Sequence, residues 1–92
     1  MDWTVEFDKK ARKQFDKLDG AAKAKICEKL ERILALDDPH DDGKALTGNY
    51  KGLWRYRTGD YRIVCDLVHK KAIVLVVKVS HRSSAYNRTV SL

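Results

Sequence analysis

The sequence predicts an α+β domain: an N-terminal strand, an antiparallel helical hairpin, then a three-stranded antiparallel meander, the four strands forming one sheet packed on the helices. Three observations carry this. Apolar residues recur at helical spacing through residues 9–34, they alternate at period two from Leu53 to Ser80, and the turn residues between segments are few outside one acidic stretch. With 92 residues and a hydrophobic share of 43%, the chain is expected to form a single domain, residues 1–92, around one modest core.

Residues 3–7 (WTVEF) alternate apolar and polar and are rich in β-formers, so Trp3, Val5 and Phe7 are expected on one face of a first strand. Asp8 is placed to cap a helix along which Ala11, Phe15 and Leu18 recur, with Gly20 as its expected stop. Asp19 is placed to cap a second helix. Its stripe is Ala22, Ile26, Leu30, Ile33 and Leu34, with Lys23, Lys25, Lys29 and Arg32 on other faces. So short a junction implies an antiparallel hairpin whose two stripes are buried most economically against a sheet.

Pro39 ends the second helix, and residues 37–50 (DDPHDDGKALTGNY) read as one long loop. His40 lies among Asp37, Asp38, Asp41 and Asp42, a composition read as a solvated acidic loop rather than a metal site. Residues 53–58 (LWRYRT), 61–68 (YRIVCDLV) and 72–80 (AIVLVVKVS) then read as three strands joined by short turns at Gly59-Asp60 and His69-Lys70-Lys71. The last is apolar on both parities, which marks it as the most buried strand.

Cys27 and Cys65 lie in apolar-patterned segments with no Cys or His at metal spacing and read as two reduced, buried thiols. The net charge of +6 implies a field that attracts phosphate backbones or an acidic protein. No apolar run approaches the roughly 20 residues of a spanning helix, and the opening MDWTVEFDKK is acidic and patterned rather than signal-like. A cytoplasmic protein without a membrane partner is the expectation.

Parity assigns the faces of the sheet. If Trp54 and Tyr56 point toward the helices, Arg55 and Arg57 point away; Ile63, Cys65 and Leu67 inward leaves Arg62 outward with Val64 and Asp66. With Ile73, Leu75, Val77 and Val79 inward on the last strand, Lys78, Ser80 and Arg82 fall on the outer face. Arg55, Arg62 and Arg82, from three strands, then converge on a space the size of one phosphate, and Tyr86 supplies a ring on which a base stacks. Arginines on an exposed strand face also serve to prevent aggregation, and parity alone does not separate the two uses.

The segments Lys44-Ala-Leu-Thr-Gly48, Gly52-Leu-Trp-Arg-Tyr-Arg57, Gly59-Asp-Tyr-Arg-Ile-Val64 and Ser80-His-Arg-Ser-Ser-Ala-Tyr86 resemble, in order and spacing, the RelE branch of the RelE/ParE toxin superfamily. The resemblance spans essentially the whole chain and ends on an Arg-x-x-x-Tyr pattern. It implies a RelE-like fold and the toxin of a type II toxin–antitoxin system. Such a toxin is a ribosome-dependent endoribonuclease, an mRNA interferase that cuts mRNA in the A site and uses no metal or cofactor. The ribose 2′-hydroxyl attacks the adjacent phosphate, so the protein orients that hydroxyl, stabilises the charged transition state and assists proton transfer.

Carried over position by position, the resemblance places Arg55 at a basic strand position near the reacting group, Arg62 at the phosphate-binding arginine, Arg82 at the terminal-strand arginine and Tyr86 at the stacking or proton-handling tyrosine. Lys51, Arg57 and Lys78 join them as RNA-binding residues. Where such nucleases often carry a lysine two residues before Arg55, this chain has Leu53, with Lys51 two residues further back. Arginine, with a pKa above about 12, is a poor general base, so the proton acceptor has to be sought elsewhere. His81 is a candidate by its ordinary pKa near about 6.5, although parity turns it inward. The implied partners are an acidic, RelB-like antitoxin, the ribosome and its mRNA, with operator DNA contacted only through the antitoxin complex. Two other readings fit the same charge. One is a ParE-like or degenerate member that poisons a protein such as DNA gyrase without cutting RNA; the other is a plain nucleic-acid-binding module.

Overall fold

The computed structural model describes residues 2–81. The chain runs β1 (Thr4–Phe7), α1 (Lys9–Asp16), α2 (Gly20–Leu34), β2 (Lys44–Ala45), β3 (Trp54–Thr58), β4 (Tyr61–Val68) and β5 (Ile73–His81). The strands form one sheet in the order β1-β5-β4-β3-β2, and the architecture is α+β. The expected meander is β3-β4-β5, antiparallel throughout, while β1 lies parallel to β5 on its other side and so leaves the apolar β5 flanked on both edges. Among the described residues five strands are present where four are expected. The extra one, β2, is two residues long, too short to show a periodicity, and pairs antiparallel with Trp54 and Arg55.

Both helices start on the expected caps: Asp8 accepts from the Ala11 amide and Asp19 from the Ala22 amide, each at 2.8 Å. Gly20 does not stop α1. That helix ends at Asp16, and Gly20 opens α2 directly behind its Asp19 cap. The α2 stripe is as read, with Ala22, Ile26, Leu30 and Ile33 buried against Tyr56, Ile63, Cys65, Val74 and Val76 of the sheet. Cys27, expected to be buried, is exposed, because it sits one residue past Ile26 and therefore about 100° round the helix from the stripe.

The inward face of β5 differs from the expected one. Val74 and Val76, not Ile73 and Leu75, lie in the core. Opposite β4 the register then shifts: Val76 pairs with Cys65 but Lys78 pairs with Val64, leaving Val77 as the extra residue of a β-bulge. The bulge reverses parity, so Val79 returns to the core and Lys78 and Ser80 turn outward. Either side of it the outer edge of β5 is held: the Asp8 amide donates to the Val76 carbonyl, and the Val79 amide donates to Gln14 Oε1 of α1 at 2.8 Å. Gln14 thus takes over where β1 leaves the sheet, satisfying an amide that would otherwise be orphaned.

Two inward aromatics of β3 pin the acidic loop. Tyr56 donates its hydroxyl to the Pro39 carbonyl and Trp54 its indole N–H to the Asp42 carbonyl, both at 2.6 Å. Burial keeps the Tyr56 phenol well above its ordinary pKa, so it remains a donor. His40 is engaged within this loop, 2.9 Å from Asp38 through Nδ1 and with its ring stacked on His69 at 4.9 Å and 6°.

Candidate RNA-binding face

The face of the sheet away from the helices is built from rows that the register defines. One row reads Lys44–Arg55–Val64–Lys78 across β2, β3, β4 and β5; the next reads Arg57–Arg62–Ser80. Five cations therefore occupy one quarter of this face, beside the β3–β4 turn. That turn is made by two residues, with Gly59 at φ 57° in the first position, where a type II′ turn requires a positive φ. The opposite end of the face carries Glu6, Leu75 and Asp66 in one row and no cation from β1, β4 or β5. The charge is thus concentrated where the meander is tightest rather than spread over the sheet.

This quarter is not open to water throughout. Val64 points away from the helices and is absent from the main core, yet it is only 1% exposed. Arg55 and Arg62 are half-buried, whereas Arg57 is exposed. Lys78, across Val64 from Arg55, is held below the ordinary lysine pKa, chiefly by burial and secondly by the Lys10 ammonium; the Tyr50 phenol acts in the opposite direction.

Beside Arg55 and Arg57 a cleft of about 220 Å³ opens at the β3 edge, walled by Lys29, Asp42, Gly43 and Lys44. Lys29 donates to Asp42 Oδ2 at 2.5 Å and, with the Gly43 amide on Oδ1, holds that carboxyl below its usual range. Gly43 makes the close approach possible. Its φ is +75°, and a β-carbon there would lie 2.5 Å from the Arg55 carbonyl oxygen and 2.8 Å from both Trp54 Nε1 and Tyr56 Cδ1.

Of the residues singled out from the sequence, Arg55, Arg57, Arg62 and Lys78 are brought together on this face. Lys51 lies apart in the turn ahead of β3, where its amide donates to the Gly48 carbonyl. His81 is not with them: it pairs with Tyr61 on the helix-facing side, the two rings edge to face at 5.1 Å. Arg82 and Tyr86 lie outside the described residues. The sequence gives no signal for Lys44, for the burial of Val64 or for the cleft: Lys44 lies in a loop without periodicity, and parity turns Val64 outward without showing that it is covered.

The family described as the ParE toxin of type II toxin–antitoxin systems, parDE, matches residues 3–86, and the chain belongs to it, within the RelE/ParE superfamily. Among curated relatives, the mRNA interferase toxin RelE of Escherichia coli K12 is 28% identical over 95 residues, covering 98% of this chain and 96% of the relative. Among solved structures, the toxin–antitoxin complex RelBE2 of Mycobacterium tuberculosis superposes with a TM-score of 0.79 at 26% identity, covering 90% of this chain and 94% of that one. Isolated E. coli RelE superposes with a TM-score of 0.71 at 22% identity, covering 96% and 99%. The chain is thus a type II toxin with a RelE-like fold.

Proposed function

We propose that this toxin is a ribosome-dependent endoribonuclease that cleaves mRNA in the A site by attack of a ribose 2′-hydroxyl on the neighbouring phosphate. The observation that carries the reading is the gathering of Arg55, Arg57, Arg62 and Lys78 in one quarter of the free sheet face. Half-buried arginines fixed on paired strands make a preorganised clamp for the charge that builds on a pentacovalent phosphorus, and such clamps contribute most where water is excluded. The activity named for the E. coli relative supports the same reading.

In this reading Arg62 and Arg82 hold the reacting phosphate, Arg55 flanks it, and Tyr86 stacks on a base or handles a proton. Lys51 and Arg57 hold the RNA strand on either side. His81, lodged against Tyr61, supports the end of β5 beside Arg82. The chemistry draws its nucleophile from the RNA and requires no metal or cofactor. An acidic, RelB-like antitoxin neutralises the +6 charge by covering this face, the helical hairpin or both, and operator DNA is reached only through that complex; that the relatives from M. tuberculosis and E. coli form toxin–antitoxin complexes supports such a partner. The proposed setting is the cytoplasm; among the described residues no helix is long and apolar enough to cross a membrane. Primer extension on mRNA from cells briefly expressing the toxin tests the reading: cuts phased to codons support it, and intact messages during growth arrest oppose it.

A second reading has its own support. The matching family is described by its ParE member, and Leu53 stands where a nuclease lysine is often found. A ParE-like toxin would arrest growth by inhibiting a protein such as DNA gyrase, and purified toxin would then block supercoiling while leaving ribosome-bound mRNA uncut.

A further inference from the structure

The cleavage reaction needs a group that removes the 2′-hydroxyl proton, and the arginines on the cationic face are too basic to do so. His81 packs on the other side of the sheet. Two lysines stand in the constellation: Lys44 lies on β2, two strands from Arg62, whereas Lys78 lies on β5, the strand paired with that of Arg62. Lys78 reaches the outer face only because the bulge at Val77 reverses the parity of β5, and bulges commonly re-aim a side chain beside a site. In register it sits opposite Val64, one row from the Arg62–Ser80 pair, so Lys78 and Arg62 are diagonal neighbours on one face, roughly 7–8 Å apart at the backbone. A lysine side chain spans that distance readily. Its stem lies next to a valine that is 1% exposed, which is the desolvated surrounding that favours a neutral amine.

We infer that Lys78 is the general base of this toxin, taking the role that Leu53 leaves unfilled; the inference rests on the proposed endoribonuclease reading. Neutral Lys78 Nζ takes the proton of the 2′-hydroxyl as the 2′-oxygen forms its bond to phosphorus. The P–O5′ bond breaks, its electron pair leaves with O5′, and O5′ takes a proton from water. The products are a 2′,3′-cyclic phosphate and a free 5′-hydroxyl, and the Lys78 ammonium returns its proton to solvent, so no net proton is consumed. The groups facing Lys78 set its protonation. Burial and the Lys10 ammonium of α1 favour the neutral amine and the phenol of Tyr50 opposes it, while Arg55 of β3 and Arg62 and Asp66 of β4 are the other charged groups that the register places around it. Desolvation and Lys10 lead among them, in the direction a base requires.

The test is the pH dependence of single-turnover mRNA cleavage on programmed ribosomes by the wild type, Lys78→Arg and Lys78→Met, with thermal melts to confirm that each variant is folded. Wild-type rates are expected to rise with pH and level off below the ordinary lysine pKa of about 10.4. Lys78→Met should lose about 10²-fold or more in rate together with the pH-dependent rise, and primary alkylamines added to it should restore cutting in order of their basicity. Lys78→Arg, which keeps the charge and loses the base, should stay as slow as Lys78→Met. Cleavage by Lys78→Arg at near the wild-type rate and pH profile would make Lys78 a charge clamp and overturn the inference alone. A wild-type toxin that leaves mRNA uncut would overturn the proposed function and this inference with it.

Discussion

Replacing Gly43 by alanine probes how the cleft beside Arg55 is built. The residue holds φ +75°, a left-handed conformation that costs a non-glycine residue about 1–2 kcal/mol. The new β-carbon would also meet the Arg55 carbonyl at 2.5 Å, and Trp54 and Tyr56 atoms at 2.8 Å. The first is backbone of a paired strand and the other two are anchored by their hydrogen bonds to the loop, so none yields cheaply; such overpacking costs about 1–3 kcal/mol. Together the two terms give a loss of about 2–5 kcal/mol, which in a domain of this size lowers the melting temperature by at least about 8 °C. Gly48→Ala is the control, because its φ of +66° carries the conformational cost while nothing lies within 4 Å of the new atom. Thermal and urea unfolding of the two variants should place Gly43→Ala below Gly48→Ala by about 1 kcal/mol or more. Equal stabilities would refute the claim that the close approach of Gly43 to β3 is sterically required.

Other perturbations test separate parts of the structure. Tyr56→Phe leaves the Pro39 carbonyl without its buried donor and should cost about 1–3 kcal/mol in urea unfolding with an unchanged m value; a loss below about 0.3 kcal/mol would mean that this bond does not hold the loop. A thiol reagent near pH 8 should modify exposed Cys27 quickly and buried Cys65 only after denaturation, and equal rates on the native protein would contradict the burial. Burial raises the Cys65 thiol from 9.0 in the unfolded chain to about 12, so the unfolded state loses its proton first; stability from this group is intact below about 9 and falls as pH climbs toward 12, an alkaline limb that Cys65→Ala should flatten. Chelators should leave mRNA cleavage unchanged once ribosome integrity is controlled, and loss of cutting restored by one added metal would reopen the acidic loop as a site.

The parts of this molecule that could be read from sequence are those with a sustained period. The α2 stripe and the inward set Tyr56, Ile63 and Cys65 follow from spacing alone, and so do the outward positions of Arg55, Arg57 and Arg62. Features that break the period were hidden. The run Ile73–Val77 is apolar on both parities, so nothing in it shows that Val74 and Val76 face the helices or that Val77 is bulged. Lys78 was nevertheless assigned to the outer face, because the wrong starting parity and the unseen bulge cancel. Likewise β2 is too short to carry a pattern, and its place is set by long-range bonds from Trp54 and Tyr56 to the loop rather than by its own residues. The parallel docking of β1 on β5 has no local signal either, since it depends on the crossover made by the whole helical hairpin.

The central claim is that the cationic quarter of the free sheet face, joined in the proposed reading by Arg82, carries out RNA cleavage, and single-turnover cutting of mRNA on programmed ribosomes by Arg62→Ala and Arg82→Ala measures it most directly. Each substitution should slow the cut by roughly 10²-fold or more while leaving ribosome binding nearly unchanged, because the lost interaction acts mainly on the charged transition state. Wild-type rates from both variants would show that this face is not the active site.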